Sequence, residues 1–204
     1  RAPEDASLFV AARQRRAAGR QLRKAFQGSL SWAHRYELSA ILEGHQGCVN
    51  TIRWSDDGST LCSGSDDRRV GLWRFGPREV GAMAPAASLA TAHGHNIFDA
   101  QLARCQRKVI SCGADGFVCL TEVESTSQSS QLLFQPEPFM GCYQAFKVGF
   151  ASRDGPDVFF TAFGDGRARR FDLREPGHRV AIDARGVGLT CLEVSPRSDW
   201  LLAV

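Results

Sequence analysis

The side chains best suited to acid–base or metal chemistry are spread thinly along this chain. His93 and His95 lie close together, but no cysteine or carboxylate stands near them at the spacing of a zinc site. Glu122 and Glu124 share one face of a predicted strand, and nothing else marks them as a catalytic pair. The common phosphate-binding, metalloprotease and nucleophile motifs are missing from the sequence. The sequence therefore predicts a protein that is not an enzyme and has no cofactor and no metal site.

Cysteine usage indicates the cellular compartment. The odd number of cysteines and the lack of any C-x-x-C pair argue against a disulfide framework or a redox motif. We therefore expect seven free thiols, in a protein of the nucleus, the cytoplasm or both. The seven are Cys48, Cys62, Cys105, Cys112, Cys119, Cys142 and Cys191.

Composition and charge limit the class of protein further. The chain has 204 residues, of which 43% are apolar and 23% charged, as is ordinary for a globular protein. No apolar run approaches the length of a membrane-spanning helix, so we expect no membrane partner. The formal net charge is +3, yet residues 1–30 carry seven basic and two acidic side chains, so the basic character belongs to the N-terminal segment.

Residues 1–35 are predicted to form a basic helical extension. Three roles remain open for it: a helix that docks on a partner, a nuclear-import or nucleic-acid-binding patch, or a solvated face without a partner. Six of its apolar residues fall on one stripe of a 3.6-residue period. They are Leu8, Ala11, Ala18, Leu22, Ala25 and Phe26.

An internal repeat fills the rest of the chain. Short β-rich runs end in small-residue turns that carry Asp67, Asp115 and Asp165, spaced by 48 and 50 residues. Gly-His pairs stand before the first two units, and each unit contains four short runs with turn signals between them. A repeat of this length with Gly-His early and Trp late is the signature of a WD40 blade. The sequence thus predicts an all-β WD40 β-propeller over residues 36–204.

Each blade of this kind is stabilised by a chain of polar side chains. The aspartate accepts hydrogen bonds from turn amides and from the histidine, and the tryptophan indole supplies the far donor. The second unit has Thr121 and the third has Phe171 in place of the tryptophan. The predicted network residues are His45, Ser63, Asp67 and Trp73 in the first unit, His95 and Asp115 in the second, and Asp165 in the third.

The number of repeats is small for a closed propeller. Residues 36–204 hold about three and a half units, whereas propellers close with roughly four to eight blades. We therefore expect an incomplete part of a propeller, most simply a seven-bladed one. Residues 36–42 would then be the outer strand of a closing blade.

Several segments are more specific than a generic blade. They begin at His34, Leu42, Ser63, Gly94, Phe171 and Cys191. Together they resemble the WD40 substrate receptors of cullin-4 ubiquitin ligases (DCAF-type). Within that family, the similarity is to the subgroup that includes the WD and tetratricopeptide repeats protein.

This resemblance implies a non-enzymatic adaptor-docking subunit whose protein substrate is unknown. In the family, a WD-x-R motif at the end of a third strand docks on the propeller-type ligase adaptor, helped by an N-terminal helical extension. Here only the third unit keeps the motif, as Phe171, Asp172 and Arg174, and Leu22 and Phe26 would be the matching helical contacts. Two other functions stay open: a generic WD40 protein-interaction scaffold, and a nucleic-acid-binding module acting through the basic segment.

Overall fold

The computed structural model shows β-strands as the regular elements of the residues it describes. No helix in those ranges is long and apolar enough to cross a membrane. The predicted helical extension, residues 1–35, lies outside them, with Leu22 and Phe26, and so does Cys142. The described ranges are 40–75, 81–124, 129–137, 144–151, 155–195 and 201–204.

Three four-stranded antiparallel sheets follow one another along the chain, and we name them blades 1, 2 and 3. The first six strands are β1 (Ala40–Leu42), β2 (Val49–Trp54), β3 (Thr60–Ser65), β4 (Arg69–Arg74), β5 (Gly81–Met83) and β6 (Ala87–Ala90). Blade 1 has the spatial order β2-β3-β4-β6, while β1 pairs in parallel with β5. The described part of the predicted outer strand, residues 40–42, therefore pairs within the connection between β4 and β6.

Blades 2 and 3 are uninterrupted meanders, and a two-stranded sheet follows them. Blade 2 consists of β7 (Ile97–Leu102), β8 (Lys108–Gly113), β9 (Val118–Glu122) and β10 (Ser130–Phe134). Blade 3 consists of β11 (Ala145–Phe150), β12 (Val158–Phe163), β13 (Arg167–Asp172) and β14 (His178–Asp183). The last pair is β15 (Leu192–Val194) and β16 (Leu201–Ala203). The predicted all-β repeat of four short strands is confirmed.

The apolar core lies between consecutive blades. Val70 and Leu72 of blade 1 pack against Ala100 and Leu102 of blade 2, and all four are buried. A second cluster joins blade 2 to the aromatic residues of blade 3, with Phe159 fully buried in it. Burying apolar area contributes roughly 25 cal/mol per Å², so each blade is stabilised mainly by its neighbours.

The turn after the second strand is the same in all three blades. The residue after each repeat aspartate has a positive φ: 63° at Arg68, 75° at Gly116 and 81° at Gly166. At Gly166 an added Cβ would come within 2.7 Å of the Val187 carbonyl oxygen, so only glycine fits there. This tight turn fixes the aspartate at one end of the sheet.

The first strand of every blade contains a β-bulge. The registers of β2, β7 and β11 each skip one residue, and the skipped residues are Asn50, Phe98 and Phe146. A bulge re-aims the side chain of the extra residue. These three first strands also contact one another, β2 against β7 and β7 against β11, so the bulges form a row across the blades.

Candidate functional site

Blade 1 brings the four predicted network residues together. His45 Nδ1 lies 2.9 Å from Asp67 Oδ2, and His45 Nε2 lies 2.7 Å from Ser63 Oγ. Trp73 donates its indole N–H to Ser63 Oγ over 2.9 Å. The network therefore connects β3, β4 and the loop before β2.

The donors and acceptors of this chain have one consistent direction. An indole N–H can only donate and an ionised carboxylate can only accept. With one proton on the imidazole, at Nδ1, His45 donates to Asp67 and accepts the Ser63 hydroxyl proton at Nε2. Gly71 makes room for the contact, because an added Cβ would lie 2.7 Å from Ser63 Oγ and 3.0 Å from Trp73 Nε1. A bulkier residue at this position would push the network apart.

In blade 2 the network histidine is His93, and the prediction of His95 was wrong. His93 Nδ1 lies 3.1 Å from both carboxylate oxygens of Asp115, and its Nε2 lies 3.0 Å from Ser111 Oγ. The His93 side chain is fully buried, whereas His95 is exposed. The network position that the sequence assigned to His95 is thus occupied by His93.

The spacing to the aspartate would have identified the right histidine. His45 precedes Asp67 by 22 residues, and His93 precedes Asp115 by the same 22. Aligning the two units on their Gly-His dipeptides matches His45 with His95, whereas the residue that occupies the same place as His45 is His93. In blade 2 the glycine that matters follows His93: the amide of Gly94 donates to Asp115 over 2.9 Å.

Blade 3 replaces the histidine by an arginine on its own third strand. Asp165 accepts the amide of Arg167 over 3.0 Å and the Nη1 of Arg169 over 3.1 Å, and Arg169 Nη2 binds its other oxygen. The Arg169 guanidinium also lies 4.4 Å from the centre of the Phe163 ring. The sequence pattern of histidine and tryptophan gave no sign of this substitution.

The electrostatics of the repeat aspartates follow from their hydrogen bonds. Burial alone would raise the pKa of Asp67, but the amides of Gln46 and Arg69 and the His45 imidazole outweigh it and lower that pKa. At Asp115, the His93 imidazole and the turn amides likewise overcome burial, so the pKa is lowered. Both side chains are held as carboxylates, which is the form that the network needs.

A second polar cluster, which the sequence did not indicate, joins the first strands of the three blades. We call Thr51, Arg53, Asp99, Gln101 and Lys147 the inner-wall cluster. Its centre is Asp99 on β7, a carboxylate with no exposed surface. No repeat motif marks these positions in the sequence, because each blade contributes a different residue type to the cluster.

Donors from both neighbouring blades converge on Asp99. Thr51 Oγ1 donates to Oδ1 over 2.6 Å, and Arg53 Nη2 donates to Oδ2 over 2.9 Å. From blade 3, the amide of Val148 donates to Oδ2 over 3.0 Å, and Lys147 Nζ lies 3.4 Å away. A buried charge is tolerated only when it is paired and hydrogen-bonded, and Asp99 meets both conditions.

The predicted docking residues lie at the far end of β13. Asp172 accepts three hydrogen bonds from Arg174: from the amide at 3.1 Å, from Nε at 2.8 Å and from Nη2 at 2.7 Å. These bonds hold the pKa of Asp172 well below its usual range. The Asp172 side chain is 7% exposed and that of Arg174 is 60% exposed, so the aspartate braces a guanidinium that stays accessible.

Phe171 is buried, so it does not belong to the exposed surface around Arg174. Its ring stacks on Phe159 at 4.9 Å between centres and an angle of 4° between planes. A partner cannot contact Phe171 extensively, because only 2% of the residue is exposed. Its contribution is to fix the end of β13 and thereby the position of Asp172 and Arg174.

A cavity adjoins the Asp172–Arg174 pair between blades 2 and 3. Its volume is about 430 Å³, and it is lined by Leu120, residues 131–133 and residues 171–177. We call it the strand-end groove. Leucine side chains from blade 2 and the braced arginine from blade 3 face the same space. The groove can therefore hold an apolar side chain beside a polar or negatively charged one.

Metal binding finds no support among the described residues, where no group of three or more His, Cys, Asp or Glu side chains is placed to hold an ion. His93, one of the pair considered from the sequence, has both ring nitrogens in the blade network. Its ligand positions are already used by protein partners.

Comparison with known proteins places these features in a family. The family described as "WD domain, G-beta repeat" matches residues 36–74. WD repeat protein iqw1 of Schizosaccharomyces pombe is 30% identical over 166 residues, which cover 77% of this chain and 19% of that protein. DDB1- and CUL4-associated factor 6 of Homo sapiens is 30% identical over 156 residues, or 76% of this chain and 17% of that protein.

WD and tetratricopeptide repeats protein 1 of Homo sapiens is also similar, at 30% identity over 197 residues, or 87% of this chain and 27% of that protein. The chain thus spans between 17% and 27% of the length of these curated relatives. Among solved structures, the C-terminal WD40 domain of Sif2 superposes with a TM-score of 0.61 at 20% identity. That superposition covers 80% of this chain and 45% of the other, and it supports the fold. The repeat, the three blades and these similarities lead to one conclusion: this chain is a WD40-repeat protein with the β-propeller fold.

Proposed function

We propose that this chain is a docking scaffold of a cullin-4 RING E3 ubiquitin ligase and that it binds the propeller-type ligase adaptor through the strand-end groove. The WD40 repeat domain is typically non-catalytic, and its surfaces serve protein interactions. The cullin-4 link comes from relatives: the human relative at 30% identity is named DDB1- and CUL4-associated factor 6. The proposal includes a location in the nucleus, the cytoplasm or both.

One observation carries the proposal: the braced, exposed Arg174 beside an apolar cavity. A guanidinium has five N–H donors, and the ones that Asp172 does not use suit the carbonyl or carboxylate oxygens of a partner. Asp172 holds the group through two side-chain hydrogen bonds, to Nε and Nη2, so binding costs little side-chain entropy. Arginine anchors next to apolar pockets are the residues that dominate interface energies.

The test is direct binding of this chain to the adaptor that the relative's name contains, DDB1. We expect Arg174→Ala to weaken binding by about 2 kcal/mol or more, as at a hot spot. Arg174→Lys should be nearly as damaging, because an ammonium cannot reproduce the planar fork. Both variants should stay folded and lose about 1–2 kcal/mol of unfolding free energy, because the buried Asp172 loses two side-chain bonds but keeps the backbone amide of residue 174, and Arg170 lies 3.9 Å away.

Arg104 offers a matched control. It too is an exposed arginine paired with an aspartate, Asp56, at 2.9 Å, but it lies in the turn between β7 and β8. Arg104→Ala should bind DDB1 like the parent chain. If folded Arg174→Ala binds DDB1 as tightly as Arg104→Ala, docking does not use the strand-end groove. If the parent chain itself does not bind DDB1, the ligase proposal is wrong, and a generic WD40 interaction scaffold or a nucleic-acid-binding module remains.

A further inference from the structure

We propose that the inner-wall cluster and the adjacent phenyl rings form a binding site for an acidic peptide segment, in which a Glu or Asp stands next to an aromatic residue. The site is independent of the strand-end groove and does not rest on the ligase proposal. It is built on the first strands of the blades, β2, β7 and β11.

The inner-wall cluster contains two cations and one carboxylate. Arg53 and Lys147 approach Asp99 Oδ2 from opposite blades, at 2.9 Å and 3.4 Å. Two cations face one carboxylate, and the three first strands carry no other ionisable side chain. The cluster therefore holds one positive charge in excess. A negatively charged side chain is the group that would balance it.

The two cations are partly exposed, and the carboxylate between them is not. Asp99 has no exposed surface, whereas the side chains of Arg53 and Lys147 are 22% and 30% exposed. Arg53 donates from Nη2 to Asp99 and from Nη1 to Gln101, and Lys147 Nζ forms an ion pair with Asp99, while a guanidinium has five N–H donors and an ammonium three. The carboxylate thus positions the two cations from behind. Both keep donor capacity on the side that solvent, or a ligand, can reach.

Two phenyl rings stand on the residues next in sequence to this cluster. Phe98 and Phe146 are the bulge residues next in sequence to Asp99 and Lys147, and both are partly exposed. Their rings stack at 5.6 Å between centres with an angle of 8° between planes. In blade 1 the equivalent bulge residue, Asn50, donates instead to the Ile97 carbonyl over 2.8 Å. The stacked rings therefore occur only between blades 2 and 3 among the described bulges.

These features together select the occupant. A free inorganic anion would use the cations and leave the rings unused, whereas a peptide residue next to a carboxylate can lie against them. Aromatic side chains pack on such rings in offset or edge-to-face geometry, at centre distances of about 4.5–7 Å. An acidic peptide with a neighbouring aromatic residue is thus the ligand that satisfies both halves of the site.

The experiment uses the whole chain and a fluorescein-labelled peptide of sequence Ser-Gly-Phe-Glu-Gly-Ser, with anisotropy as the readout. We expect a dissociation constant below about 1 mM. The analogue with Gln for Glu and the analogue with Ser for Phe should each bind about tenfold more weakly. Raising the salt concentration should weaken binding of the parent peptide but not binding of the Gln analogue. Absence of binding at 1 mM, or equal binding by the Gln analogue, would overturn the proposal.

Lysine variants provide the matched comparison. Lys147→Gln should lower the affinity about tenfold, while Lys108→Gln, the same change on β8, should leave it unchanged. Phe146→Leu should lower the affinity several-fold, and it keeps an apolar side chain at that position. It therefore tests the site if Lys147→Gln unfolds at a lower temperature than the parent chain. Equal affinities for the Lys147 and Lys108 variants would contradict the proposal, and so would phosphate competing as strongly as the unlabelled peptide.

Discussion

Thr51 and Asp99 lie 48 residues apart, one full repeat, and a 2.6 Å hydrogen bond joins Thr51 Oγ1 to Asp99 Oδ1. The bond links the first strands of blades 1 and 2 at a buried position. Through the amide of Val148, the same carboxylate also reaches blade 3. A single side chain on β7 therefore connects three blades.

Replacing Asp99 by asparagine should destabilise the fold strongly. Asp99→Asn keeps the shape of the side chain but leaves Arg53 and Lys147 without their shared counter-charge. We expect the free energy of unfolding in urea to fall by about 3 kcal/mol, as when one partner of a buried ion pair is removed. Asp56→Asn is the control, because that side chain is 63% exposed, and it should cost under about 1 kcal/mol. Similar losses in the two variants would show that Asp99 does not connect the blades.

The two neighbouring histidines should respond very differently to substitution. His93→Ala removes a buried imidazole that bonds Asp115 and Ser111, and it should lower the free energy of unfolding by about 2 kcal/mol. His95→Ala alters an exposed side chain and should change it by under about 0.5 kcal/mol. Thermal or urea unfolding of the two variants gives the comparison. A larger loss for His95→Ala would reverse the assignment of the network histidine.

Acid should weaken the blade networks. Because the folded-state pKa of Asp115 is depressed below its ordinary value of 3.8, the carboxylate contributes stability above that pH and loses it as the pH falls through the folded pKa. We therefore expect Asp115→Asn to be less stable than the parent chain at pH 5, with the difference shrinking towards pH 3. Urea unfolding at a series of pH values measures it. A difference that stays constant over this interval would contradict the lowered pKa.

The cysteines should separate into two classes of reactivity in the folded chain. Burial raises the pKa of the Cys62 and Cys119 thiols to about 12, and that of Cys112 is also raised by burial. These thiols should react slowly with iodoacetamide at pH 7.5, since the thiolate is the nucleophile. The exposed Cys48, Cys105 and Cys191 should be labelled first.

Mass mapping before and after unfolding distinguishes the classes. All six described cysteines are free in the structure. Cys142 lies outside the described residues, so its free thiol stays a prediction. Seven labelled thiols are expected after unfolding without a reductant. Rapid labelling of Cys62 in the folded chain would mean that the contact between blades 1 and 2 opens readily, because that residue is fully buried there.

The sequence by itself determined the repeat and what depends on local geometry. The turns at Asp67, Asp115 and Asp165 need only neighbouring amides and a residue of positive φ, so their spacing of 48 and 50 residues predicted the blades. The bracing of Arg174 by Asp172 was also predictable, because the two lie on one short turn.

Only the tertiary structure decided which side chains meet across strands and blades. His93 and His95 are both near enough in sequence to bond Asp115. His93 does so because of the way the loop before β7 approaches the turn after β8. Arg169 took the histidine's place in blade 3 from a different strand. Asp99 has no motif at all, since its partners come from strands about one repeat away on either side. Local sequence specifies turns and strand alternation, whereas contacts between blades depend on how whole sheets pack, which no short spacing encodes.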